Sequence, residues 1–235
     1  MPIWEHFAGS PSDSCHHDVV VGRGRSVLVV EDDRLTLGLL AEILTQSGFV
    51  VGAAATAADA RRMWNQMDPD AVVLDVDLGP GVNGFDLADA FLANRPDVAI
   101  LFLSNLPDAR FAGRNAATLP PGAGYVRKDR LADAQALVTA LDAVLRGIAA
   151  QTPRDDRDPA RPLAELSRTQ VQVLRMVAMG MSNQQIALER GTTTRAVHNV
   201  ISRAMAAIGA IDADEGSARV VAAREFIRAA GLPER

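Results

Sequence analysis

Between Ser26 and Arg146 five short apolar runs alternate with stretches of helical periodicity. The runs are SVLVVEDD, FVVGAAA, AVVLDVD, VAILFLS and GYVRK, three of them ending in acids or a hydroxyl. Runs this short and this apolar predict strands buried on both faces, which is the signature of a parallel sheet with helices on either side. Helices are predicted between them. Arg34–Ser47 carries Leu35, Leu39, Leu40, Ile43 and Leu44, and Gly48 stops it. Ala57–Met67 places Ala60, Met63, Trp64 and Met67 on one side. Phe85–Asn94 ends before Pro96, and Ala132–Arg146 spaces Leu137, Leu141 and Leu145 by four. Residues 105–122 hold Pro107, Pro120 and Pro121, which permit a weak helix at most.

Past Gly147 the character changes. Residues 148–162 (IAAQTPRDDRDPARP) contain three prolines and six charges and read as a linker. Beyond them the strand signal is gone, and four short helices are predicted: Arg168–Met179, Asn183–Arg190, Arg195–Ala207 and Ser217–Ala230. The first three follow a Ser or Thr, and each of the four gives way to a Gly. The expected division is a flexible arm over 1–22, in which His16 and His17 read as tail residues, an α/β domain over 23–147, the linker, and a small all-α domain over 163–235. Net charge is −5, unevenly spread: residues 23–147 carry −4 and residues 163–235 carry +2. The two domains therefore suit different partners. The single cysteine, Cys15, excludes an intrachain disulfide and a multi-cysteine zinc site. The N-terminus lacks a secretory pattern, and no run approaches the ~18 apolar residues of a membrane helix. The cytoplasm is the expected compartment, with no membrane partner.

In parallel sheets of this kind the ligand sits beyond the carboxyl ends of the strands. Glu31, Asp32 and Asp33 follow the first run, Asp75 and Asp77 end the third, Ser104 ends the fourth, and Lys128 ends the fifth. Converging carboxylates repel unless a cation joins them, and an all-oxygen set with room for water suits Mg²⁺. Asp75 then becomes a candidate nucleophile toward phosphorus, with Lys128 to neutralise the transferred group and Ser104 to donate to it. Of the chain's 24 basic residues Lys128 is the sole lysine, and the sole tyrosine, Tyr125, lies three positions before it. Solvated acids at loop starts are the plain alternative for any one position; five positions at one edge argue against it.

These residues resemble the receiver domain of two-component response regulators over 26–146, through VLVVEDD, AVVLDVDL followed by Asn83-Gly84, FLS and GYVRKD. The resemblance implies a five-stranded, doubly wound, flavodoxin-like α/β fold. It implies that Asp75 accepts a phosphoryl group from a cognate histidine kinase. It implies that Glu31, Asp32, Asp75 and the backbone carbonyl of Asp77 hold Mg²⁺. It also implies that Lys128 pairs with the phosphate and that Ser104 and Tyr125 form the switch pair. Three features depart from the family. Gly79 stands where Pro is usual, in a loop one residue longer; Asn105 replaces a small residue after Ser104; and segment 105–123 is interrupted by prolines. VVLDVD also resembles the Asp-x-Asp start of haloacid-dehalogenase-type phosphatases, with Asp75 as nucleophile and Asp77 as general acid. In that family the motif opens the first strand, not the third.

In the basic stretch, two short helices joined by Gly191 and a threonine-rich turn read as a helix-turn-helix. The second would present Thr193, Thr194, Arg195, His198, Asn199, Ser202 and Arg203 to DNA, with Val197, Ile201 and Ile208 facing the core. Residues 166–210 resemble the LuxR-type helix-turn-helix of the NarL/FixJ class of response regulators, through Leu166-Ser167 and Gln170, Val173-Leu174, Gly180, Ser182-Asn183, Ile186-Ala187, Gly191, Val197, Ser202-Arg203 and Gly209. The expectation is a phosphorylation-controlled transcriptional regulator, a signalling protein and not an enzyme, that binds operator DNA as a homodimer. A phosphorylation-independent regulator using the receiver as a dimerisation module is the alternative.

Overall fold

The computed structural model describes residues 24–79, 81–112, 119–148, 150–209 and 215–232; the expected arm over 1–22 lies outside them. The five predicted strands form β1 (Ser26–Val30), β2 (Val50–Ala54), β3 (Ala71–Asp75), β4 (Ala99–Ser104) and β5 (Gly124–Arg127). They make one sheet of order β2-β1-β3-β4-β5, with every pairing parallel. This is the doubly wound, flavodoxin-like arrangement.

Because side chains alternate along a strand, each strand feeds two cores. Val27, Val29, Val73, Leu101 and Leu103 pack under α1 (Arg34–Gln46) and α4 (Ala134–Leu145). Leu28, Val72, Leu74, Ile100 and Phe102 pack under α2 (Ala57–Met67) and α3 (Gly84–Asn94), where Trp64 and Phe91 stack with ring centroids 4.2 Å apart. Side chains cap each helix start: Asp33 accepts from Thr36 N, Thr56 from Asp59 N, Asn83 from Asp86 N and Asp133 from Ala136 N. The apolar pattern of α1 is wider than its buried stripe. Leu37, Leu40 and Leu44 are inside, while Leu35 and Leu39 are exposed. No helix occurs among the described residues of segment 105–123, in which a weak helix at most is expected.

The proline-rich segment after Gly147 is a connector, but it does not hang free. Pro153 O accepts from Tyr125 N at 2.8 Å, and Asp155 Oδ2 accepts from Arg127 N at 2.8 Å. These bonds take up the outer edge of β5. Arg130 reaches Asp158 at 2.6 Å, and the fully buried Asp156 is held in a two-point grip by Arg154. We refer to residues 153–161 as the strap.

The all-α domain comprises α5 (Arg168–Ala178), α6 (Asn183–Glu189), α7 (Thr194–Ala207) and α8 (Glu215–Ala230), the last starting two residues ahead of expectation. Ser167 with Gln170, and Ser182 with Gln185, form reciprocal capping boxes at α5 and α6. Gly180, Gly191 and Gly209 follow α5, α6 and α7 in the left-handed region at φ +81°, +59° and +75°, which is why each helix stops at a glycine. Leu174, Ile186, Val197, Ile201 and Phe226 share one core. No helix among the described residues is long and apolar enough to cross a membrane.

Candidate functional site

All five residues of β3 are buried, so its last residue, Asp75, is delivered to the sheet edge with little freedom. β1 ends one residue before Glu31, whose N–H is fixed on Ala54 O at 3.1 Å. β5 ends one residue before Lys128. The lysine Nζ donates to Glu31 Oε2 at 2.6 Å and to Asp75 Oδ2 at 2.8 Å. The other oxygen of Asp75 accepts from Asp77 N at 3.2 Å. Carboxylate oxygens of Glu31, Asp32 and Asp75 lie within 4.8 Å of one another. Glu31 and Asp75 are buried, whereas Asp32 and Asp77 are exposed.

The electrostatics follow from that crowding. Burial, reinforced by the neighbouring Asp75 charge and opposed by Lys128, pushes the Glu31 carboxyl up to about 7. Burial also raises Asp75, against the pull of the ammonium. For Lys128 burial works the other way, but the charges and hydrogen bonds of Asp75 and Glu31 outweigh it and keep the amine protonated. One ammonium cannot balance three carboxylates, and the remaining negative charge sits on hard oxygen donors. That donor set fits a divalent cation such as Mg²⁺. Glu31, Asp32 and Asp75 would hold it, and the resemblance adds the Asp77 carbonyl.

Ser104, wholly buried at the end of β4, accepts from Leu106 N at 3.0 Å. Tyr125 is wholly buried on β5, and its hydroxyl donates to Leu106 O at 3.1 Å. Burial drives its phenol pKa upward, so the hydroxyl keeps its proton. The two residues expected to form a switch pair therefore grip the same peptide segment. Asn105 is exposed and lines the open groove of about 800 Å³ over the acidic cluster. Gly79 has φ +76°, a conformation closed to proline.

On the second domain, Thr193 caps α7 by accepting from Ala196 N at 3.2 Å, and Thr194 opens the helix. Thr193, Thr194, Arg195, Asn199, Ser202 and Arg203 are exposed and His198 is half-buried, while Val197 and Ile201 are inside and Ile208 is half-buried. The expected DNA-facing set thus lies together on α7 and the turn before it. Arg203 folds back, its Nε donating to Asn199 O at 3.2 Å.

Two things escaped the sequence. Gly84 was legible as part of Asn-Gly but not its reason: a β-carbon there would lie 2.0 Å from Asp75 O. The cluster Asp108, Arg110 and Phe111 carried no signal, since its partners lie more than fifty residues away.

The chain matches the response regulator receiver domain over residues 27–141 and the luxR family of bacterial regulatory proteins over 164–213. It is 32% identical over 177 residues to the DNA-binding transcriptional activator DevR/DosR of Mycobacterium tuberculosis, covering 68% of this chain and 76% of that protein. It is 27% identical to the transcriptional regulatory protein DesR of Bacillus subtilis, over 75% of this chain and 86% of that one. Among solved structures, RcsB of Salmonella enterica, determined on promoter DNA, superposes with a TM-score of 0.55 at 18% identity, over 86% of this chain and 98% of that one.

Proposed function

The chain belongs to the two-component response regulators of the NarL/FixJ class, a receiver domain joined to a LuxR-type DNA-binding domain, and from that premise we propose that Asp75 is its phosphoacceptor and that phosphorylation controls its DNA binding. That it is a DNA-binding transcriptional response regulator is the family's function; its phosphate chemistry is our reading. The observation that carries it is the ammonium of Lys128 bridging Asp75 at 2.8 Å and Glu31 at 2.6 Å in an acidic cluster open to a groove.

In this reading an Asp75 carboxylate oxygen attacks the phosphorus of a phosphohistidine on a histidine kinase. The P–O bond forms, the P–N bond breaks, and the imidazole leaves with the electron pair. Asp77 N–H holds one carboxylate oxygen and Lys128 Nζ the other, so the attacking oxygen is the one that the lysine releases. Lys128 moves from a carboxylate to a phosphoryl oxygen, and Ser104 and Tyr125 answer the new charge. Mg²⁺ on Glu31, Asp32, Asp75 and the Asp77 carbonyl would supply charge neutralisation on the phosphoryl oxygens. On α7 and the preceding turn, Thr193, Thr194, Arg195, His198, Asn199, Ser202 and Arg203 would meet an operator, paired half-sites being read by a homodimer. The domain limits 23–147, 148–162 and 163–235 belong to the same proposal, as does a cytoplasmic location.

Intact mass after incubation with acetyl phosphate tests this directly. One phosphoryl adduct that requires Mg²⁺ and disappears in Asp75→Asn is expected. A folded protein with no adduct from either acetyl phosphate or its kinase would return the reading to a phosphorylation-independent regulator.

A further inference from the structure

After Ser104 the chain leaves the sheet and runs directly into the second domain. Leu106 is held at both ends of its peptide, its N–H on Ser104 Oγ and its carbonyl under the Tyr125 hydroxyl. Two residues on, Asp108 is wholly buried. Its carboxylate accepts Arg110 Nε at 2.9 Å and Nη2 at 2.6 Å, and Arg161 Nε at 2.7 Å. Burial pushes that carboxyl upward, but the two guanidinium groups outweigh it and hold it below the usual range.

Arg110 then crosses the domain boundary. It donates to Leu163 O at 3.2 Å, to Ala164 O at 3.3 Å and to Leu166 O, the carbonyls that lead into α5. Leu163 is fixed there at φ +54°, a left-handed backbone that a branched side chain rarely adopts. Phe111 follows, buried in the helical core against Phe226 of α8, with ring centroids 5.4 Å apart. Arg161 arrives from the strap, which is bonded to β5 at Tyr125 N and at Arg127 N, next to Lys128. Two routes from the acidic pocket, one through Leu106 and one through β5 and the strap, therefore end on the same buried carboxylate.

A seam of this composition suits reversal. Once apart, Asp108, Arg110, Arg161 and the carbonyls regain water, and the apolar surface to be exposed is that of Phe111 with Leu106 and Leu163 beside it. The seam clamps the start of α5 and the flank of α8. It leaves Arg195, Asn199, Ser202 and Arg203 exposed, so its effect is not to cover the face of α7. We propose that Asp108, with Arg110, Arg161 and Phe111, is an interdomain latch, and that it opens when a phosphoryl group on Asp75 draws Ser104 Oγ away from Leu106 N–H. The trigger rests on the phosphorylation reading above; the latch itself does not.

Hydrogen exchange on the full chain, read at residues 106–111 and 163–166 with the phosphoryl adduct quantified by mass on the same samples, tests both parts. With acetyl phosphate and Mg²⁺ those amides should exchange about ten-fold faster, within the ordinary range of coupling, and Asp75→Asn should abolish the change. Asp108→Asn should open the seam without any donor. Coupling of affinities is reciprocal, so the same variant should also bind the phosphoryl mimic beryllofluoride with Mg²⁺ roughly five-fold more tightly, which a purely structural contact would not do. If Asp108→Asn does not fold, Arg161→Gln removes the same ion pair from the strap side. An adduct on Asp75 with seam exchange unchanged, and latch variants that bind beryllofluoride with wild-type affinity, would overturn the inference while leaving the phosphorylation reading standing. No adduct in the wild type would overturn that reading and the trigger with it, and the seam exchange of Asp108→Asn would still decide whether Asp108 holds the domains together.

Discussion

Gly84 shows how tightly the site is built at the scale of one residue. Its N–H bonds Val76 O at 3.0 Å, and any β-carbon would fall 2.0 Å from the backbone oxygen of Asp75. Gly84→Ala must therefore shift either the start of α3 or the carboxylate itself. We expect a loss of about 1–3 kcal/mol in denaturant unfolding, typical of forced overpacking, together with slower labelling by acetyl phosphate. Full stability with full labelling would show that the loop yields. Glu31 gives a second expectation. Its folded pKa stands near 7 against an unfolded value of 4.5, so the native state holds the extra proton between them. Stability of the metal-free protein should fall as pH rises through that window, because the native state loses a proton that it bound more tightly. Mg²⁺ binds the deprotonated cluster, so the rise in Tm that it produces should grow over the same window, and Glu31→Gln should flatten both trends. A Tm shift by Mg²⁺ that is the same at pH 5 and pH 8 would contradict the assignment.

At the scale of elements, legibility depended on whether the signal was local. The runs of β1 and β3 declared themselves because both faces are buried, and SVLVV or AVVL has no other use for that composition, whereas β2, expected to be buried alike, lies at the sheet edge with Val50 and Ala53 exposed. Helix ends were legible because Ser167, Ser182, Thr193 and the stop glycines act on neighbours three or four residues away. Asp75, Glu31 and Lys128 were legible because strand ends map onto one sheet edge. The strap was readable as a connector, but its docking on β5 was not, since nothing near Pro153 names Tyr125 as its partner. Leu35 and Leu39 misled in the opposite sense, as periodic apolar residues that face water. The helix-turn-helix carries its own prediction. Arg203 is exposed beside Asn199, and releasing it from Asn199 O would let it reach a phosphate. Arg203→Ala should weaken operator binding and reduce the slope of log affinity against log salt by about one unit. An unchanged slope would assign Arg203 to the helix alone.

For the molecule as a whole, the question is whether two domains behave as one unit. Each has its own core: two layers around the sheet, and one among the four helices. A flexible tether would leave them to unfold separately. Here Phe111, a residue of the first family match, is buried in the core of the second domain, and Arg110 caps three carbonyls ahead of α5. If the seam is the latch proposed above, their contribution has to lie within an ordinary coupling energy, about 1–3 kcal/mol. Phe111→Ala removes the aromatic anchor while leaving the Asp108 ion pairs intact. If the seam couples the domains, calorimetry of the full chain should show one transition in the wild type and two in Phe111→Ala. The lower of the two should come from the helical domain, which loses its contact with Phe111 beside Phe226. Two transitions already present in the wild type would mean that the seam is too weak to unite the domains at their melting temperatures. One transition in both proteins would mean that the polar contacts of Asp108, Arg110 and Arg161 are enough to make the chain cooperative without Phe111.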